Sequence, residues 1–588
     1  MALKSLSLVA SFFSLLSVVA AGDDKWLSPE YKEIFKNPLP IPPVKTPKYS
    51  YTNASSDVPI DYYEIEIKPF SQQVYAGKKP AQLIGYDGIS PGPTFMMEKG
   101  REAVVRFINK SVRKSAIHLH GSYSRAPFDG WAEDTIAPNE YKDYYYPNHQ
   151  SARTLWYHDH AVHITAQNAY FGQAGLYLLH DKNEDILGLP KGKYDVPLVL
   201  SSKQYNSDGT LFDPIVETVS LYGDVIHVNG QPWPFLAVEP RKYRFRLLDA
   251  AISRTFQLYL QSVTTGKKVN FQVIASDTGL ISKPITTDNL YISMAERWEI
   301  VIDFAAFKGQ SIDLMNMRDV GADEDYAATD KVMRFNVGNT VTDTTNNAAV
   351  PSSLATLPFP PNKSNVDRSF KFERSNGEWQ INGVIFSDVN NRILAKPQRG
   401  AVEVWELENS SGGWSHPIHI HLVDFRVISR TDGKRTVQPY EAEALKDVVW
   451  LGPNEKVKVL ARYAPWDGVY MFHCHNLIHE DHDMMAAFNV TSLPDWGYNE
   501  TTKFLDPMEE RWRAKPYPPP VPSTSTAQTE TMKTLKMFSE LDAYSKVKEV
   551  EQKLEEYWAD KEKNLSRRGA DVKSRVERRR RRGMLPGR

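Results

Sequence analysis

The sequence predicts an all-β protein of three Greek-key β-sandwich domains with a charged helical tail at its C-terminus. Two observations carry this. Short strand-like segments with alternating apolar residues recur between turn signals, and helical periodicity is scarce before residue 530. A third, the length of 588 residues, is too great for one hydrophobic core and sets the number of domains at three or four.

Three stretches read alike: GREAVVRFIN from Gly100, PRKYRFRLLD from Pro240 and GAVEVWELEN from Gly400. Each follows a turn element, SPGPTF, VNGQPWP or INGVIF, and each ends in Asn or Asp. Their spacing is that of a domain, not of a solenoid repeat. The resulting division is 45–187, 188–345 and 366–510, with a Pro-, Ser- and Asn-rich connection between the second and third. Residues 511–588 read as a Pro-rich linker (KPYPPPVPSTSTAQTE) that ends the folded part, then an amphipathic helix and a basic tail ending in Arg578 to Arg582. That tail is expected to be solvated or proteolytically removed. Residues 1–21, with Lys4, an apolar run from Leu6 to Val19 and a small-residue end, read as a signal peptide. A secreted, extracellular glycoprotein follows as an expectation, with sequons at Asn53, Asn109, Asn362, Asn409, Asn489, Asn499 and Asn564.

A net charge of −1 with 24% charged residues offers nothing to attract nucleic acid, and no later run is apolar enough to span a membrane. A soluble monomer is expected. One cysteine, Cys474, cannot pair within the chain, so a disulfide role is excluded and another use is required.

Eight of the fifteen histidines form four His-x-His pairs: His118 with His120, His158 with His160, His419 with His421, and His473 with His475. Residues two apart on a strand share a face, so each pair can offer two imidazoles to one site. Four such pairs, two in the first domain and two in the third, point to a polynuclear metal site where these domains meet. The second domain has Phe256-Gln257-Leu258 at the matching position and brings no ligands. Cys474 lies between His473 and His475 and so faces the other way. With His416, His479 and a weak thioether from Met484 it composes a blue-copper electron-transfer site, Met484 being the axial ligand. The chain then links the two sites covalently through one residue in each direction. Zinc would need only four ligands and would gain nothing from two faces, which favours copper.

HLHGSYSRAPFDGWAED (His118 to Asp134), WYHDH (Trp156 to His160), HPIHIH (His416 to His421) and HCHNLIHEDHDMM (His473 to Met485) resemble the four copper motifs of multicopper oxidases. The resemblance spans about Lys48 to Leu505 and is nearest to the fungal members that act on bilirubin. It implies cupredoxin-like domains and four coppers. His118 and His419 would hold the type 2 ion, and His120, His158, His160, His421, His473 and His475 the type 3 pair. His416, Cys474, His479 and Met484 would hold the type 1 ion. It also implies one-electron oxidation of a small donor, bilirubin or a related tetrapyrrole, coupled to reduction of dioxygen to water. Asp129 would sit near the type 2 copper and Glu480 beside the cluster, both handling protons; spacing alone leaves them equally readable as solvated loop acids.

Trp414 reads either as a donor-docking residue at the rim of the type 1 site or as a packing aromatic. His149, His163, His180, His227 and His482 fit no ligand position and are assigned to packing or surface, His482 with a supporting role. A laccase-like oxidase of phenols and aromatic amines is the alternative among enzymes. A copper electron carrier or an inert sandwich is the alternative outside them, and the eight paired histidines argue against both.

Overall fold

The computed structural model describes residues 25–561, except 55, 319, 322–324, 494–503, 518–523, 542 and 545–548. The signal-peptide segment and the basic end lie outside the described residues. The fold is all-β, with six sheets that pair into three sandwiches. The three repeated segments are the strands Glu102–Asn109, Lys242–Asp249 and Val402–Asn409, and each occupies the same place in its domain. Each lies parallel to an earlier strand: Pro59–Gln72, Asp195–Lys203 and Arg368–Ser375 respectively. Each lies antiparallel to a later one: Glu140–Tyr146, Arg297–Asp303 and Lys456–Arg462. The alternating apolar residues mark the face turned to the sandwich core, although in the first two strands the other face is covered as well and only Val402–Asn409 keeps a part-exposed face.

The terminal Asn or Asp of the repeat closes the strand through its own side chain. Asn109 Nδ2 donates to the carbonyls of Arg113 and Ile136, while its Oδ1 accepts from Ser111 N and Oγ. Asn409 does the same with Trp414, Gly452 and Ser411, and Asp249 Oδ1 accepts from Ala251 N. The expectation of glycans on Asn109 and Asn409 is therefore corrected: both amides are buried and committed to hydrogen bonds. The Asn-x-Ser pattern there records an Asx turn, in which the serine serves the same asparagine.

The stretch expected to be a linker ending the folded part instead forms structure at two places. Lys515–Pro516 adds a strand to the edge of the first domain, against Tyr141 and Glu140. The helix Thr524–Ser539 begins inside the supposed linker and lays Leu535 and Phe538 into the core beside Phe128 and Tyr145. A further helical stretch, 549–561, buries Val550 and Leu554, the latter over Gly400, and Trp558 Nε1 donates to Arg399 O. The described parts of the tail up to residue 561 thus pack on the first and third domains; of the periodic apolar positions, Val550 and Leu554 are buried in helix, Leu541 and Tyr544 lie in turns, and Leu535 and Phe538 fall outside the periodic run. The N-terminal arm likewise runs over the second domain, where Asp224 accepts from Leu27 N and Ser28 N.

Candidate copper centres

The strand Ile117–His120 pairs with Arg153–Asp159, and His416–Ile420 pairs with Gly468–Cys474. Register sets His118 opposite His158 and His419 opposite His473. The sheets of the first and third domains abut here, and all eight paired histidines converge, each 0–1% exposed. Three groups form: His118 with His419 and His421; His160 with His421 and His473; and His120 with His158 and His475. His118 Nε2 and His419 Nε2 are 3.3 Å apart, His160 Nε2 and His473 Nε2 3.2 Å, His421 Nε2 and His473 Nε2 3.3 Å. Two nitrogens bound tetrahedrally at ~2.0 Å to one ion stand about 3.3 Å apart, so the spacing fits shared metal ions.

Most of the outward nitrogens are tied down. His118 Nδ1 is 2.6 Å from Asp129 O, His158 Nδ1 2.8 Å from Asp159 O, His419 Nδ1 2.8 Å from Asp447 O, and His421 Nδ1 2.8 Å from Asp129 Oδ2. His120 is reversed: its Nε2 lies 3.0 Å from Asp447 Oδ1. His120 Nδ1 and His158 Nε2, which this leaves facing inward, and both nitrogens of His475 are buried and without a hydrogen-bond partner. A buried polar atom with no partner is costly. Three aimed at one point are explained by a metal ion, for which the imidazoles fit. Anchored outer N–H groups hold the rings in the metal-binding tautomer. Burial, reinforced for most by neighbouring imidazoles, pushes His118, His120, His158, His419, His421 and His475 well below the ordinary histidine range, and His160 to about 4. Each is neutral near pH 7, the form that binds metal.

On the opposite face of Gly468–Cys474, Cys474 Sγ is 3.4 Å from His416 Nδ1 and 3.6 Å from His479 Nδ1, and these two nitrogens are 3.1 Å apart. The short helix Leu477–Asp481, capped by Asn476 on Ile478 N, brings His479 back to the thiol. Asn476 N donates to Cys474 Sγ at 3.4 Å. Met484 is fully buried and its backbone is hydrogen-bonded to both Cys474 and His479, which seats it beside the trio. Burial pushes the Cys474 thiol well up, so a thiolate forms here when a cation takes the place of the proton. Replacing Met484 by leucine is expected to retain the metal but raise its potential, because a weak axial donor no longer favours the oxidised ion. Each tenfold gain for the reduced ion reads as about 59 mV in a redox titration. An unchanged or lowered potential would count against an axial role.

Asp129 and Glu480 both reach the cluster. Asp129 Oδ2 binds His421, its carbonyl binds His118, and Oδ1, 3.6 Å from His118 Nδ1, is buried without a hydrogen-bond partner. Burial raises its pKa well above the carboxylate range. Glu480 Oε2 is 3.0 Å from His473 Nδ1 and Oε1 is 3.6 Å from His160 Nδ1. Burial pushes Glu480 up, and the two imidazoles more than offset it, leaving it below the usual range. Of the remaining histidines, His149 stacks on Tyr544 with ring centroids 4.2 Å apart, and His163 Nδ1 and His482 Nδ1 rest on the carbonyls of Asp481 and Ile478.

Sequence reasoning missed Trp379 and Arg374. Trp379 is fully buried, stacks on His479 with centroids 3.7 Å apart and meets Trp414 edge-on at 5.3 Å. The Arg374 guanidinium covers both indoles, 5.1 Å from Trp379 and 5.4 Å from Trp414. They lie on a hairpin about forty residues upstream of the histidines, and only the turn INGVIF nearby hinted at it.

Family profiles described as multicopper oxidase match residues 70–184 and 358–493. A bilirubin oxidase of Albifimbria verrucaria is 59% identical over 500 residues, 84% of this chain and 87% of that one. A laccase of Bacillus stratosphericus is 32% identical, covering 78% of this chain and 99% of its own. The McoA multicopper oxidase from Aquifex aeolicus superposes with a TM-score of 0.69 at 26% identity, over 78% of this chain and all of that one. With eight converging imidazoles, a buried thiol between two more, and these likenesses over most of its length, the chain belongs to the multicopper oxidase family.

Proposed function

We propose that the donor is bilirubin or a related linear tetrapyrrole, and that it is oxidised at the surface formed by Trp414 and Arg374. The enzyme takes electrons from an organic donor and reduces dioxygen, and its cofactor is copper, four ions of types 1, 2 and 3. Bound copper supplies one-electron redox steps at the thiolate site and dioxygen reduction at the cluster. Two bilirubins, each losing two electrons and two protons, balance one dioxygen reduced to two waters.

We assign His416, Cys474, His479 and Met484 to the type 1 ion and His118 and His419 to type 2. The type 3 pair falls to the triads His120, His158, His475 and His160, His421, His473. Asp129 and Glu480 hold and pass protons.

The observation that carries the donor reading is the burial of both type 1 imidazoles: His416 and His479 are fully covered. A donor cannot touch a ligand and must work through what covers it. That cover is Trp379, in contact with His479, then the half-buried Trp414 and Arg374. No carboxylate among the described residues pairs with Arg374, so its cation is free for a donor's carboxylate while the indoles take its π face. Bilirubin offers both. Steady-state oxygen uptake with bilirubin, a methoxyphenol and ferrous ion tests this, in the parent and in Arg374→Ala. Arg374→Ala should raise KM for bilirubin about tenfold, the worth of one charge-assisted hydrogen bond at a partly exposed site, and leave the neutral phenol unchanged. Equal effects on both donors, or preference for the phenol in the parent, would favour the laccase-like reading.

We also propose export with loss of residues 1–21, supported by the basic start and the apolar run from Leu6, and glycosylation at Asn362 and Asn489; Asn53 Nδ2 is committed to Ser539 O, and Asn499 and Asn564 lie outside the described residues. N-terminal sequencing of protein recovered from culture medium should begin near Gly22; an intact Met1 would reject it.

A further inference from the structure

The middle domain carries no copper ligand, yet one of its side chains reaches the cluster. Arg297 opens the strand Arg297–Asp303 and is fully buried. Its NH1 donates to Asp447 Oδ1 at 2.7 Å and its NH2 to Asp447 Oδ2 at 2.5 Å. The other three N–H groups go to carbonyls: Nε to Thr154 at 3.0 Å, NH1 to Ala295 at 2.9 Å, NH2 to Asp277 at 3.0 Å. All five donors of a rigid planar fork are thus used, on groups from all three domains. The position of the carboxylate follows from that of the guanidinium.

Asp447 touches two ligands. Its Oδ1 is 3.0 Å from His120 Nε2, and its carbonyl oxygen accepts from His419 Nδ1 at 2.8 Å. Asp277 Oδ2 holds it from behind through the N–H groups of Asp447 and Val448, and is itself paired with Lys446 Nζ at 3.0 Å. Gly121, next to His120, has φ +86°, and a Cβ there would lie 2.6 Å from Arg297 NH2 and 2.7 Å from Asp447 Oδ2. The glycine of the HLHG motif makes room for this ion pair.

We propose that Arg297 is a positioning residue for the trinuclear centre: by fixing Asp447 it holds the His120 ring with Nδ1 turned to the ion that His158 and His475 also face. An imidazole has two nitrogens and only one can face the metal; the carboxylate takes the other. Without Arg297 a buried carboxylate beside His120 loses its charge partner and the ring loses its fixed orientation. The middle domain therefore registers the interface of the other two.

This inference rests on the copper assignment, which a count of four coppers in the purified parent tests separately. The experiment compares parent, Arg297→Met and Arg297→Lys holoenzymes by copper per chain, the blue absorption band and electron paramagnetic resonance. In the parent the coupled type 3 pair is silent in resonance. Arg297→Met should keep the blue band. It should gain a cupric signal from an uncoupled type 3 ion, or lose cluster copper, and turn over roughly 10–100-fold more slowly, the usual cost of removing a group that orients a metal ligand. Arg297→Lys, which returns the charge but not the fork, should recover part of the coupling. A purely structural role would lower thermal stability and all four coppers together, with a parental resonance spectrum in the enzyme that remains, and would overturn the proposal. So would an Arg297→Met enzyme with four coppers and the parental spectrum. Should Arg297→Met fail to fold, Asp447→Asn preserves shape while removing the anion Arg297 holds; it should also show the uncoupled signal, and a parental spectrum with four coppers would equally overturn the proposal.

Discussion

Replacing Cys474 with serine is expected to abolish the blue absorption and the oxidation of every donor while the imidazole cluster keeps its three coppers. The thiol is the only sulfur nucleophile in the chain, lies 3.4 and 3.6 Å from His416 and His479, and accepts a hydrogen bond from Asn476 N. A hydroxyl is harder, does not ionise near neutral pH and cannot supply the thiolate bond that defines a blue site. The cluster stands on other ligands: His473 and His475 flank Cys474 but face away from it, and their partners come from other strands. Copper analysis should fall from four to three per chain and the type 2 resonance signal should persist. A serine variant that stays blue would remove the thiolate assignment. One that loses all four ions would show that the two sites do not form independently.

Replacing Asp129 with asparagine is expected to slow turnover by about 10²–10⁴-fold, the range for loss of a positioned acid or base, without slowing electron uptake. Asp129 sits between His118 and His421, and its Oδ1 is buried without a partner beside the cluster. Asparagine has nearly the same shape and can still accept from His421, and the anchor of His118 is the backbone carbonyl, which the substitution leaves in place. Ligand geometry should therefore survive while the capacity to hold and release a proton is lost. Reduction of dioxygen consumes four protons, so reoxidation becomes the slow step. Stopped-flow absorbance separates the phases: anaerobic bleaching of the blue band by donor should match the parent, and its recovery on adding oxygen should lag. If both phases match the parent, or bleaching alone slows, Asp129 is not the proton relay.

The sequence by itself determined which imidazoles and which thiol could share a face, and so the reading of two candidate copper sites. His-x-His spacing needs only the two-residue period of a strand to place two imidazoles on one face, and the same period places Cys474 on the other; neither conclusion depends on which strands later meet. The repeat strands and the fold class were legible for a similar reason, because alternation and turn residues are local. The tertiary structure decided what depends on approach between distant segments. Trp379 comes to His479 from a hairpin a hundred residues away in the same domain, and Arg297 comes to Asp447 across domains, through contacts that leave no periodic trace. In the tail, Val550 and Leu554 were legible as a helix face, whereas Leu535 and Phe538 were not, and the surface all of them cover belongs to strands hundreds of residues away. At Asn109 and Asn409 a local pattern was read for the wrong chemistry, since burial, not the tripeptide, decides whether an amide is open to modification or closes a turn.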